Sequence, residues 1–391
     1  MTKNAIQPTP IDLATARRIA VDAALLGAPE LPPTEESVVT VSRHFGGIQI
    51  DPTRTVERTQ HLVLWSRLRD YDRTLLDAVL RNRQAFEYAA FIVTPDRLPE
   101  LMYYAQRWPG TGGTWRARAT RFLAENAAFR KSILDQLRAE GPLQLRQIDV
   151  SKVKVGWEST GWTQGKNASQ MLEFMGVKLE VAVAGRVGQE RLWDLPERVI
   201  PTTAPRDELT EDEYQERRVM RAMARFGLGA FKEIRDRAYG LSIPAAKALF
   251  ARLVEEGRIV PVDVPFPGKQ TPTYALPEVL DAADKKREPR TTLVSPFDPV
   301  VYDRARTERL FGFKYALEMY KPKDQREFGH FVLPILHDNQ LIGRLDSERD
   351  RKANELVIRK VHWEGAQAPD RATQRGVDQA IADLKDFVRA G

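Results

Sequence analysis

Cysteine is absent from the 391 residues. The chain therefore has no disulfide framework, no thiolate nucleophile and no Cys-ligated zinc or iron–sulfur centre, and an intracellular, cytoplasmic location is expected. Histidine is scarce as well. The five, at positions 44, 61, 330, 337 and 362, show no metal-ligand spacing, so no metal is expected. Long apolar runs are missing: the stretch 19–28 is interrupted by Asp22 and followed by Pro29, and no later run approaches the roughly 18 to 20 residues of a membrane span. Neither a membrane partner nor secretion is expected. A Gly-x-Ser-x-Gly elbow is also lacking, which argues against a serine-triad hydrolase. Residues 161–167 (GWTQGKN) fall short of a phosphate loop. Their first glycine stands one residue too close to the Gly-Lys pair, and Asn167 occupies the place of the Ser or Thr that must reach magnesium. The glycines at 110, 112 and 113 lack dinucleotide-loop spacing, and no cofactor is expected.

What is present describes an ordinary globular chain. Hydrophobic residues make up 42% and charged residues 29%, which excludes a mostly disordered or fibrous protein. The length is too great for one core and implies two to four domains. Sixty Lys plus Arg against 54 Asp plus Glu leave a formal charge of +6, a mild preference for an anionic partner.

An internal repeat organises the middle of the chain. Segments 172–199 and 253–279 share a layout at a constant offset of 81 residues: Leu172 matches Leu253, Gly176 matches Gly257, and Leu195-Pro196-Glu197 matches Leu276-Pro277-Glu278. Each copy reads as the end of an amphipathic helix, a glycine cap, an alternating strand, a turn and a second strand with a central aromatic, Trp193 or Tyr274. Two further helical patterns precede each copy, 129–139 with 144–150 and 213–225 with 230–238. Three helices and a hairpin follow the winged-helix order.

The first third reads the same way, with helices at 13–26, 35–45 and 73–81, a helical stretch at 55–65 and a β-rich segment at 89–94. After residue 291, strands are expected at 315–320, 331–336, 341–346 and 355–363, with His337, Asp338 and Asn339 as a hairpin turn, and a closing helix at 371–389. The predicted class is α+β: tandem winged-helix domains at 10–110, 115–200 and 212–282, then a small β-barrel and closing helix at 291–391.

Residues 101–131 carry six Arg or Lys against one acid, Glu125, interleaved with Tyr103, Tyr104, Trp108, Trp115 and Phe122. Such a helix can bring Arg116 and Arg118 to phosphates, or it can pack its aromatics inward and leave its arginines solvated.

One short segment has the makings of a site. After the helix at 35–45 and Gly46-Gly47, the chain reads Ile48-Gln49-Ile50-Asp51-Pro52. Side chains alternate in an extended segment, so Ile48 and Ile50 face inward while Gln49 and Asp51 project together, about 6.5 to 7 Å apart. That spacing suits a water held between an amide and a carboxylate. Asp51-Pro52 also fits a helix start, Asp as the cap and Pro at the first position, and spacing alone favours this second reading.

Three blocks in order resemble one family. They are Gln49-Ile50-Asp51, the stretch 55–70 containing His61-Leu62-Val63-Leu64-Trp65-Ser66-Arg67, and the run from Ser295-Pro296-Phe297-Asp298-Pro299 through Tyr302-Asp303-Arg304 to Leu310-Phe311-Gly312-Phe313. Over about residues 10–365 the chain is similar to the winged-helix DNA glycosylases that unhook interstrand crosslinks, the AlkZ and YcaQ type. The AlkZ branch carries Gln at the last motif position, so Asp51 places this chain with the YcaQ-like branch, also termed AlkX. Many such relatives are expected to have a residue bulkier than Gly47.

The resemblance implies winged helices and a β-barrel around a DNA channel, and monofunctional removal of N7-alkylated purines from double-stranded DNA, including crosslinked guanines. It makes Gln49 and Asp51 the catalytic pair, with no lyase step, and implies a monomer working at the nucleoid. His61, Arg67, Arg116, Arg118, Arg304, His337 and Asn339 are the candidate DNA-contacting residues, each with a duller packing or turn role beside it. The alternative function is a non-catalytic tandem winged-helix regulator, which would prefer one DNA sequence by several kcal/mol. A repair enzyme would instead show a steep salt dependence and little sequence preference.

Overall fold

The computed structural model describes residues 7–390 except 28, 111, 158–166, 239, 269, 283–286 and 366–368. The phosphate-loop lookalike at 161–167 therefore lies, but for Asn167, outside the described residues. The chain opens with β1 (Thr9–Pro10), α1 (Leu13–Ala23), α2 (Glu35–Phe45), β2 (Ile48–Gln49), α3 (Thr59–Trp65) and α4 (Arg73–Arg81). Next come β3 (Phe86–Tyr88), β4 (Phe91–Val93), α5 (Leu98–Arg107), α6 (Thr114–Glu125), α7 (Ala127–Glu140), β5 (Leu143–Gln144), α8 (Asn167–Val177), β6 (Ala182–Val187), β7 (Glu190–Asp194) and α9 (Pro196–Val199). The elements α10 (Glu211–Phe226), β8 (Leu228–Ala230), α11 (Phe231–Arg237), α12 (Ile243–Glu255), β9 (Val260–Asp263), β10 (Thr273–Ala275) and α13 (Pro277–Ala282) follow. The last stretch holds β11 (Thr291–Leu293), α14 (Arg304–Phe311), β12 (Leu333–His337), β13 (Gln340–Asp350), β14 (Glu355–Trp363) and α15 (Arg371–Arg389). The protein is thus mixed α and β, as its composition and periodicity imply. No helix among the described residues is long and apolar enough to cross a membrane.

Local chemistry accounts for many of these boundaries. Helix α2 begins with Glu35 and Glu36 and ends with Arg43 and His44, charges that complement its dipole. Helix α12 has Ser242 as its cap, accepting the Ala245 N–H at 3.3 Å, and buries Ala246, Leu249, Phe250 and Leu253 at helical spacing. Helix α15 is capped by Asp370 and buries Val377, Ala380, Leu384, Phe387 and Val388.

The chain forms two units, one of residues 1–45, 49–75 and 215–391 and the other of 46–48 and 76–214. In the first, one sheet has the order β1-β9-β10-β8, with β1 parallel to β9 and the other pairs antiparallel. Helix α1 closes over it through Ala16, Ile19 and Ala20, in one core with Val262, Phe266, Leu310 and Phe313. The fit is tight at Gly227, where φ is +68° and an added Cβ would lie 2.8 Å from Ala23 and from Ile19. A second sheet, β11-β12-β13-β14, is antiparallel throughout, and α15 packs on it.

In the second unit the sheet order is β2-β4-β3-β6-β7-β5. Beside it Phe122, Phe129, Trp157, Phe174 and Trp193 form an aromatic core, Trp157 meeting Phe174 edge-on at 5.0 Å.

The repeat is visible in the pairing. Trp193 on β7 faces Leu143 of β5, and Tyr274 on β10 faces Gly229 of β8, so each copy places its central aromatic against a short strand that follows the first helix of its repeat, α7 or α10. No helix forms at 144–150 in the first copy: Gln144 ends β5 and Leu145–Gln147 make a single tight turn, because Gln147 turns its side-chain oxygen back to the Gln144 N–H at 2.8 Å.

Two further expectations are corrected. No strand forms at 315–320, where side chains hold the segment: Tyr315 donates its hydroxyl to the Val332 carbonyl at 2.7 Å, and Glu318 accepts the Phe328 N–H at 2.8 Å. The C-terminal strands also form an open sheet rather than a closed barrel. The edge strand β14 exposes Glu355, Arg359 and Lys360, charges that oppose further pairing.

Candidate active site

Helix α2 gives way to Gly46 (φ +68°) and Gly47 (φ +133°), a reversal that side chains with a Cβ rarely adopt. A Cβ on Gly47 would also lie 3.1 Å from Val93 and 3.3 Å from the Ile92 carbonyl. Glycine at this position is therefore fixed by backbone geometry and space. Ile48 is buried, while Gln49 and Asp51 are half-buried. Ile50 is half-buried too, so the inward and outward alternation is weaker than the pattern implied.

The capping reading of Asp51 does not hold, since no helix starts there. Asp51 Oδ1 accepts the Thr53 N–H at 2.8 Å, an Asx turn, and α3 begins only at Thr59. The intervening backbone is held elsewhere: the Thr55 carbonyl accepts the Arg349 N–H from β13 at 2.8 Å, and its hydroxyl lies 3.3 Å from His330 Nδ1. Thr59 reaches the Ser295 hydroxyl at 3.3 Å. The loop is thus pinned to the C-terminal sheet. Among the described residues, Asp51 Oδ2 and the Gln49 amide have no side-chain hydrogen bond.

Behind the loop sits Glu57, its side chain 2% exposed. One oxygen accepts Arg54 Nε at 3.0 Å and the Arg58 N–H at 2.8 Å, and the other accepts Arg73 Nη2 at 2.7 Å. Arg349 Nη1 stands 3.7 Å away. Burial raises the Glu57 carboxyl pKa, but the Arg58 N–H and the Arg73 guanidinium outweigh it and hold the carboxyl below its ordinary range.

His61 lies one turn on. Its Nδ1 is 3.0 Å from the Tyr71 hydroxyl, and burial lowers its pKa to about 4 despite the nearby Glu57. It is a neutral, packed ring.

The remaining sequence candidates scatter. Arg67 is wholly buried and bonded to Asp298, which removes it from any DNA contact. Arg304 spends its guanidinium on the Val301 and Pro296 carbonyls, at 2.5 and 2.9 Å, and lies over the Tyr315 ring. His337 sits between Thr291 (2.8 Å) and Thr373 (3.4 Å), tying the sheet to α15. Asn339 donates to the Ala14 carbonyl at 3.3 Å, so the hairpin tip is docked on α1. Arg116 and Arg118 are exposed on α6, Arg118 over the Trp157 ring at 4.6 Å. Only Gln49, Asp51 and His61 thus belong to one stretch of the fold. The sequence reading missed Glu57 and its arginines. The i,i+3 pair Arg54–Glu57 was visible in it, but the arrival of Arg349 from β13 was not. Among the described residues, no three His, Asp or Glu side chains converge as a metal-binding group.

A family model described as DNA glycosylase AlkZ-like matches residues 42–387. A solved structure, Streptomyces sahachiroi DNA glycosylase AlkZ, superposes with a TM-score of 0.65 at 15% identity, covering 97% of this chain and 97% of that one. A likeness at that identity speaks to the fold.

Proposed function

The chain belongs to the AlkZ-like DNA glycosylase family, and from that premise we propose that it hydrolyses the N-glycosidic bond of N7-alkylated purines in duplex DNA, including guanines joined in an interstrand crosslink. The three helix-and-hairpin segments at 10–110, 115–200 and 212–282 act as winged helices that bind the duplex. The enzyme works as a monomer on nucleoid DNA.

The chemistry needs little apparatus. Alkylation at N7 puts a positive charge on guanine, which then leaves without protonation. What remains is to stabilise cationic charge building on the sugar and to aim a water at C1′, as in glycoside hydrolysis. Asp51 supplies the carboxylate for both, and Gln49 orients the water or the deoxyribose through its amide. The observation that carries this reading is the Asp51 carboxylate itself: one oxygen is fixed by the Thr53 N–H, and the other has no partner among the described residues. No lysine takes part, so no Schiff base forms and the backbone stays intact at the abasic product. A crosslinked base is too bulky for a tight flipping pocket, and the reaction proceeds in an open cleft.

The test is a duplex carrying one N7-methylguanine, incubated with purified protein and resolved with and without alkali. Strand breaks that appear only after alkali support a monofunctional glycosylase. Breaks without alkali would indicate a lyase, and no base release together with tight binding to one sequence would favour a regulator.

A further inference from the structure

Glu57 is in contact with a group of arginines drawn from both ends of the chain. Arg54 and Arg73 bond it, and Arg349 lies at 3.7 Å. Arg351, at the β13–β14 turn, joins the group through Nη2, 3.4 Å from the Arg54 carbonyl. Three guanidinium groups, those of Arg54, Arg73 and Arg349, lie within 3.7 Å of one buried carboxylate, and Arg351 stands beside Arg54, so positive charge outnumbers negative in this cluster. The pKa of Arg349 reflects this, being lowered first by burial and then by repulsion from Arg54.

The four are not equivalent. Arg73 is turned inward, donating to the Phe387 carbonyl at 3.0 Å with its guanidinium 4.0 Å from the Phe387 ring centre. Arg349 is 7% exposed, with Nη2 on Asn354 Oδ1 at 2.5 Å. The groups left facing solvent are Arg54, 33% exposed, and the exposed Arg351. Both are carried on rigid supports: Arg54 by its bond to Glu57, and Arg351 by a turn in which Asp350 accepts the Lys352 N–H at 2.8 Å.

We propose that Arg54 and Arg351 form a binding site for a DNA phosphodiester next to the catalytic loop, with Glu57 as the buried anchor that aims Arg54 and the Asp350 turn holding Arg351 beside it. Planar guanidinium forks match phosphate oxygens, and a single phosphate would relieve the repulsion that the cluster carries. Arg54 follows Asp51 by three residues, a reach of at most about 10 Å. A phosphate held there fixes the strand within about one or two nucleotides of the sugar at Asp51. The role assigned to the neighbouring sugar rests on the glycosylase reading above, whereas the phosphate contact can be measured without it.

The experiment uses the full chain and an undamaged duplex, with binding followed by fluorescence anisotropy across a potassium chloride series. Arg54→Ala and Arg351→Ala should each flatten the slope of log affinity against log salt by about 1, and Arg351→Lys should restore it. In a second arm, single methylphosphonate linkages are walked along both strands around an N7-methylguanine. One neutral linkage near the lesion should weaken wild type several-fold and leave Arg351→Ala unchanged. In a third, inorganic phosphate at fixed ionic strength should not compete. Unchanged slopes in folded variants, equal methylphosphonate penalties in both proteins, or specific competition by free phosphate would each overturn the site. Loss of excision in Asp51→Asn alongside unchanged arginine slopes would remove this site and leave the catalytic reading standing.

Discussion

The Arg67 guanidinium and the Asp298 carboxylate, 231 residues apart in the chain, meet in a two-pronged bond of 2.7 and 3.0 Å with neither side chain exposed. Arg67 also donates to the Ala24 and Val63 carbonyls and lies 4.7 Å from the Phe45 ring centre. Together these bonds clamp α1, α2 and α3 to the 295–300 turn, which makes Arg67 a brace for the segment that follows the Gln49–Asp51 loop.

Removing one partner strands the other charge in the interior. Asp298→Ala should lower unfolding stability by about 3 to 5 kcal/mol, read from urea denaturation with an unchanged slope. A loss below about 1 kcal/mol, the range of surface pairs, would mean the pair is not a brace.

His61 should make the protein acid-sensitive. Burial lowers its folded pKa from 6.5 to about 4, so below pH 6.5 the unfolded chain takes up a proton that the folded chain refuses. Stability falls between about pH 6.5 and 4 and levels off below that, a contribution on the order of 3 kcal/mol. His44, His330 and His362 are lowered in the same direction, so the measurement is the difference between wild type and His61→Asn at pH 7 and pH 4.5. Equal losses in the two proteins would show that His61 is not the group responsible.

Gly47 should resist substitution. At φ +133°, with Val93 and Ile92 close by, Gly47→Ala should cost about 1 to 3 kcal/mol of stability and displace Gln49 two residues on. Thermal unfolding and single-turnover excision of the variant check both effects. Wild-type values in both would show that the turn can relax.

Gln49→Ala should slow base release by roughly tenfold to a thousandfold, the loss of one oriented polar contact. Single-turnover excision at saturating enzyme measures it, and an unchanged rate would reduce Gln49 to a structural role.

Periodic segments were legible in the sequence. Helices α2, α4 and α15 and strand β14 stand where the spacing put them, because each owes its boundaries to caps and apolar faces within its own span. The Gln49-Ile50-Asp51 segment was legible only in part: the strand β2 ends at Gln49 and is set by its pairing with β4. Apart from the 144–150 turn, which Gln147 makes locally, the failures share one cause, which is distance in sequence. Asp51-Pro52 looked like a helix start because nothing local shows that Arg349 will take the Thr55 carbonyl. Arg67 looked available until Asp298 met it. Residues 315–320 looked like a strand because their alternation is real, yet Tyr315 and Glu318 turn it to side-chain bonds.

The most direct measurement compares wild type with Asp51→Asn on a duplex bearing one N7-methylguanine, scoring base release and duplex affinity on the same preparations. The substitution keeps the shape and an oxygen able to accept the Thr53 N–H while removing the charge. Release should fall to the spontaneous rate while affinity stays within a few fold. Release at the wild-type rate would show that the carboxylate does not carry the reaction.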